Sequence, residues 1–136
     1  MLIRYGSRVG TTTEAALLGY HQAGGPAMSQ YFPQPSELGR HTIFPGVRIQ
    51  TAACEKMQMS VVELDPGSVV PEHSHPNEQV GLMLAGEAEF TIGGERKVLG
   101  PGDVYCIPGG VPHRVVALGQ PVRVIDIFTP VRDEYR

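Results

Sequence analysis

Between Gly67 and Gly86 the chain reads GSVVPEHSHPNEQVGLMLAG, and the placing of His73, His75 and Gln79 in that stretch restricts the fold more than any other feature. Successive side chains of a β-strand alternate faces, so His73 and His75 project to one side with their imidazoles close enough to share one ion. The stretch from Gly102 to His113, GDVYCIPGGVPH, supplies a third histidine after a strand and a Pro-Gly turn. A neighbouring strand that carries His113 beside the first pair would complete the site, which makes a sheet the natural scaffold.

The rest of the chain agrees with a sheet. With 17 glycines and 12 prolines in 136 residues, short strands joined by tight turns are expected rather than a helical bundle. One domain of this length encloses a core without staples. The pattern places strands at about 41–44, 47–53, 57–64, 79–85, 88–92, 95–99, 104–107, 113–117 and 122–128. Gly93-Gly94 between two of them is a two-residue hairpin signal, because both residues can take positive φ.

Residues 1–36 precede this regular punctuation and are expected to form an N-terminal arm, with residues 37–136 the barrel domain. Thr13 to Tyr20 has the propensity for a short helix. An apolar arm and exposed sheet edges point to a homodimer, with edges covered by the partner. The formal net charge is only −3 and the basic residues are dispersed, so neither nucleic acid nor a membrane is an expected partner; a small-molecule substrate is. Cys54 and Cys106 lie in no metal-type or redox-type spacing and are read as reduced thiols packed as small hydrophobes. No signal-peptide pattern or membrane-length apolar run appears, so a cytoplasmic protein is expected.

The two motifs have fixed spacing: Gly67, five residues, His73-x-His75, three residues, Gln79, six residues, Gly86; then Gly102, five residues, Pro108-x-Gly110, two residues, His113. This resembles the two-motif signature of the cupin superfamily over roughly residues 40 to 130. The resemblance implies an all-β fold, a double-stranded β-helix or jelly-roll-like barrel holding one divalent transition metal on inward side chains. Two positions depart from the pattern: Gln79 stands where Glu is usual, and Ala117 where the second motif usually ends in Asn.

Glu78 is next to Gln79, but adjacent strand residues face opposite ways, and the spacing selects Gln79. A neutral amide leaves the charge of the ion uncompensated, which favours polarising a substrate over oxygen chemistry. Nickel, zinc, manganese and iron all suit such a shell. On the last strand Asp126 shares a face with Val124 and Phe128, so an inward Asp126 would be a buried acid able to move protons. Arg132, past Pro130, is suited to gripping a substrate carboxylate at the barrel mouth. Arg48 is a second clamp or an edge charge. Met57, Met59 and Met83 are expected in the interior, and one of Tyr105 and Cys106 faces in.

The motif His-x-His-Pro-Asn-Glu-Gln with a terminal Asp-x-Phe-x-Pro-x-Arg is similar to the small cupins of pectin and alginate breakdown, which open and tautomerise 4,5-unsaturated uronates. That resemblance implies His73, His75, Gln79 and His113 as metal ligands, Asp126 and Arg132 as catalytic, and Phe128 with Arg132 around the substrate. Thr129 and Val131 depart from the expected tail. Two other readings fit the same ligands: a quercetinase-like dioxygenase, and a non-catalytic small-molecule-binding cupin.

Overall fold

The computed structural model describes residues 31–136. The helix expected at Thr13 to Tyr20, and most of the expected arm, lie outside the described residues. Ten strands follow one another: β1 (Gly39–Phe44), β2 (Val47–Ala53), β3 (Gln58–Leu64), β4 (Val69–His73), β5 (Glu78–Ala85), β6 (Ala88–Ile92), β7 (Glu95–Leu99), β8 (Val104–Ile107), β9 (His113–Ala117) and β10 (Val122–Thr129). Short 3-10 turns occupy Pro35–Glu37 and Asp133–Tyr135.

Two antiparallel sheets enclose the interior, one in the order β1-β2-β3-β10-β5-β8 and the other β4-β9-β6-β7. The fold is the expected all-β jelly-roll barrel. Gly93 and Gly94 turn the β6–β7 hairpin with φ of 56° and 84°, the region their missing Cβ leaves open.

The sequence pattern missed β4. Pro71 sits inside it, which argues against a central strand, but β4 is the edge of its sheet and needs no donor there. A second difference concerns β3. Met57 and Met59 are 54% and 44% exposed, whereas Gln58, Ser60, Val62 and Leu64 face inward. Only Met83 of the three methionines is in the core, at 1% exposure. Cys54 and Cys106 are free and exposed rather than packed.

The registers of the larger sheet sort the interior into layers. Val47, Leu64 and Val122 form one apolar row, and Ile49, Val62, Val124 and Met83 the next. Each such side chain taken from water contributes roughly 1.5–3 kcal/mol, so this closed end anchors the barrel. The third row is polar: Thr51, Ser60, Asp126, Gly81 and Tyr105. The fourth holds Gln58, Phe128, Gln79 and Ile107. Polarity therefore rises along the barrel towards the end where the histidines lie.

Candidate metal centre

His73 ends β4 and is the direct cross-strand partner of His113 at the start of β9. Their ring centroids are 4.2 Å apart. His75 is not on a regular strand with His73, as alternation had suggested; it lies in the turn between β4 and β5. That turn nevertheless aims it at the other two, with ring centroids 5.7 Å from His73 and 5.0 Å from His113. The turn is held by the second motif, for Gly110 N–H donates to His75 O at 2.8 Å. A Cβ on Gly109 would collide with Pro76 O, so this approach of two backbones requires glycine. Asn77, also buried, donates from Nδ2 to Pro130 O at 2.7 Å and ties the turn to the end of β10.

The potential ligand atoms of His73, His75 and His113 all lie within 4.8 Å of one another. Every one of these rings is oriented by a backbone carbonyl: Nδ1 of His73 donates to Pro71 O, that of His75 to Asn77 O and that of His113 to Val111 O, at 2.9, 3.0 and 2.9 Å. A neutral ring that donates from Nδ1 has only a lone pair left at Nε2. Fixing the tautomer through the other ring nitrogen is how metal-binding histidines are prepared. Burial lowers the pKa of His75 and takes that of His113 to about 4, which keeps both rings neutral.

Gln79 is 7% exposed and directs Oε1 to within 3.1 Å of His75 Nε2. With Nδ1 of His75 donating to a carbonyl, these two atoms are facing acceptors, and a shared cation satisfies both. A separation near 3 Å also matches two ligands at about 2.1 Å from one ion in octahedral geometry. The donor set thus fits a divalent transition metal. Glu78 is exposed and outside this pocket.

The same pocket is lined by His73, Gln79, His113, Asp126, Phe128 and Arg132. Asp126 is buried at 7% exposure and accepts a hydrogen bond from Tyr105 Oη at 2.5 Å. Burial lifts its carboxyl to about 6, against the hydrogen bonds of Tyr105 and Gln79 and the charge of Arg132, which pull it down. Burial first, then the Asp126 charge, pushes the Tyr105 phenol well above its ordinary range. Phe128 stands edge-on to His75 at 5.6 Å. The Arg132 guanidinium lies between two rings, 5.3 Å from Phe128 and 4.7 Å from Tyr135. It pairs with Glu134 at 2.9 Å. Arg48 is elsewhere, in an exposed pair with Asp65, and is an edge charge.

Three residues that sequence reasoning did not assign complete the pocket. Tyr105, left open there, is the inward member of its pair. Gln58 is 1% exposed; its Oε1 accepts from Arg132 N–H at 2.9 Å and its Nε2 donates to Tyr135 O at 3.0 Å. Tyr135 closes the wall beside Arg132. The signal for Gln58 was its place in alternation with Ser60, Val62 and Leu64, which the hydrophobic methionines beside it obscured.

A barrel of two antiparallel sheets with three histidines and an amide converging at one end defines the class: a small cupin. The cupin domain model matches residues 60–128, and the chain belongs to that family. Among curated relatives, the pectin degradation protein KdgF of Dickeya dadantii is 30% identical over 82 residues, 60% of this chain and 74% of that protein. The dimethylsulfoniopropionate lyase DddQ of Ruegeria pomeroyi is 39% identical over 77 residues, 56% of this chain but only 38% of the lyase. The solved structure of KdgF from Halomonas sp. superimposes with a TM-score of 0.66 at 32% identity, covering 70% of this chain and 88% of that one.

Proposed function

We propose that this chain is a metal-dependent enzyme that opens and tautomerises an unsaturated sugar acid, with His73, His75, Gln79 and His113 as the metal ligands. The observation that carries the reading is one pocket in which a buried carboxyl, Asp126, and a stacked guanidinium, Arg132, share walls with the histidine cluster. Similarity to proteins named for pectin degradation supports the substrate class. A bound divalent ion would supply Lewis-acid polarisation of substrate oxygens.

The chain's own residues account for the remaining steps. Arg132 binds the substrate carboxylate with its planar fork, displacing Glu134, and Phe128 offers a ring face to the sugar. Asp126 as carboxylate takes the proton of the anomeric hydroxyl while the ring C–O bond breaks and its electron pair passes to the enol oxygen. The enolate so formed becomes a ketone when its neighbouring carbon takes the proton held by Asp126, which returns that residue to the carboxylate. A carboxyl with a pKa of about 6 is close enough to neutrality to act in both directions. Tyr105 holds that carboxyl in place. Two exposed thiols with no bridging partner also suit a reducing cytoplasm.

A second reading is favoured by the likeness to DddQ: elimination from a sulfonium carboxylate, with the same base and the same clamp. The test is a substrate panel with metal-loaded protein. Loss of the absorbance of a 4,5-unsaturated uronate, undiminished without oxygen and abolished by Asp126→Asn, is the expected result. Release of dimethyl sulfide from dimethylsulfoniopropionate with no uronate activity would select the second reading. Oxygen uptake with a flavonol would overturn both.

A further inference from the structure

Four polar side chains meet in one row across the larger sheet, Thr51, Ser60, Asp126 and Tyr105, with Gly81 between the last two. Three of them are committed within the protein. Tyr105 Oη donates to Asp126, which also takes a hydrogen bond from Gln79, and Thr51 Oγ1 donates to Tyr135 O. Ser60 is the exception. The residue is 3% exposed, yet among the described residues its Oγ has no hydrogen-bond partner. A buried hydroxyl is destabilising where it stands unless something in the neighbouring space pairs with it. That space is the candidate site itself, for Ser60 lines the same pocket as Asp126, Phe128, Arg132 and the histidines.

Depth and neighbours define what Ser60 can reach. One row towards the closed end lie Ile49, Val62 and Val124, all apolar, so Ser60 stands at the floor of the polar part of the pocket. Arg132 is held by Gln58, one row nearer the histidines. Ser60 and Asp126 are direct cross-strand partners, and such pairs keep their Cβ atoms about 4.5–5.5 Å apart on one face. Tyr105 takes the flank of Asp126 away from Ser60, which leaves the Ser60 flank for a ligand. A carboxylate and a hydroxyl side by side at this spacing suit two neighbouring hydroxyls of one sugar.

We infer, building on the uronate reading, that Ser60 is a substrate-binding residue: its O–H donates to the hydroxyl oxygen on the carbon next to the anomeric one, while Asp126 takes the anomeric proton and Arg132 the carboxylate. The contact makes the site select hydroxylated sugar acids over equally charged acids without that hydroxyl, because such an analogue leaves Ser60 unpaired. A sulfonium carboxylate of the kind DddQ is named for has no hydroxyl to offer it.

The experiment measures kcat/KM of metal-loaded full chain, by loss of absorbance, on a 4,5-unsaturated uronate and on its 2-deoxy analogue, with thermal melting of each variant alongside. Wild type is expected to act on the uronate at least about tenfold better than on the analogue. Ser60→Ala should lose at least about tenfold on the uronate and close to nothing on the analogue, which lacks the hydroxyl that Ser60 holds. Its melting temperature should be no lower than that of wild type, since Oγ has no protein partner to give up. Ser60→Thr and Ser60→Val are nearly matched in shape, and the first alone should keep the preference for the hydroxylated substrate. Active wild type that treats the two substrates alike, or a Ser60→Ala variant that loses equally on both or melts lower, would overturn the inference and leave the uronate reading standing. Wild type inactive on both substrates would overturn that reading and this inference with it.

Discussion

Tyr105 reaches across Gly81 to Asp126. The three residues form one row over β8, β5 and β10, with Gly81 directly opposite both others. The phenol lies over the glycine and donates to the carboxyl at 2.5 Å. A Cβ on Gly81 would meet the Tyr105 ring, with Cζ the nearest atom.

Gly81→Ala is therefore expected to cost about 1–3 kcal/mol or more through overpacking, because the obstructing group is a buried ring with no room to move aside. Thermal melting should show a fall of several degrees. In a Tyr105→Ala background the added methyl has space, and the cost of Gly81→Ala should largely vanish. Additive losses in the two backgrounds would mean that the ring is not what makes glycine necessary.

Tyr105→Phe removes the donor and keeps the ring. The Tyr105 hydrogen bond lowers the pKa of Asp126 relative to what burial alone would set, so it stabilises the ionised carboxylate. Its contribution is present above a pH of about 6 and fades as pH falls through that value and the acid protonates. The variant should lose about 1–3 kcal/mol at pH 8 and clearly less at pH 5 by urea denaturation of metal-free protein. Equal losses at both pH values would show that the hydroxyl does not act on the charged form.

The barrel and the convergence of the three histidines were legible because both follow from regular spacing. Alternation put Asp126 on the face of Val124 and Phe128, and motif spacing chose Gln79 over Glu78; the structure buries Asp126 and Gln79 and exposes Glu78. Legibility failed where local chemistry and pattern disagreed. Met57 and Met59 read as core by hydrophobicity, yet a strand has period 2, and choosing the methionines for the inside sends Gln58 and Ser60 outside. Those polar residues are inward because the cavity, not a packed core, lies behind them. His75 escaped the alternation argument because the chain leaves the strand after His73, and its aim is set by Gly109 and Gly110 far along the sequence. Gln58 meets Arg132 and Tyr135 across more than seventy residues, a contact that no local pattern encodes.

Metal removal gives the next expectation. The protein should bind one divalent ion per chain, and alanine at His73, His75 or His113 should each weaken binding by more than about 100-fold, since each removes one of three prepared lone pairs. Isothermal titration with nickel and zinc measures this. Gln79→Glu should keep the ion and tighten it, as a carboxylate replaces a neutral donor. Unchanged affinity in all three histidine variants would place the metal elsewhere.

Gln58 spans the two ends of the segment that carries Arg132, one end of its carboxamide on Arg132 N–H and the other on Tyr135 O. Thr51 also donates to Tyr135 O, so the segment is pinned from β2 and β3 together. Gln58→Leu takes one partner from each of two half-buried backbone groups, of which Tyr135 O keeps Thr51, at a cost of about 1–3 kcal/mol. It also frees the Arg132 guanidinium from its place between Phe128 and Tyr135. For an acidic substrate KM should rise at least about tenfold with kcat falling less, because carboxylate binding suffers more than proton transfer at Asp126. Gln58→Glu keeps the acceptor for Arg132 N–H and should recover most of the KM while remaining less stable than wild type. Steady-state kinetics beside urea melts separate the two effects: a KM that tracks stability across both variants would leave Gln58 as a packing residue with no hold on Arg132.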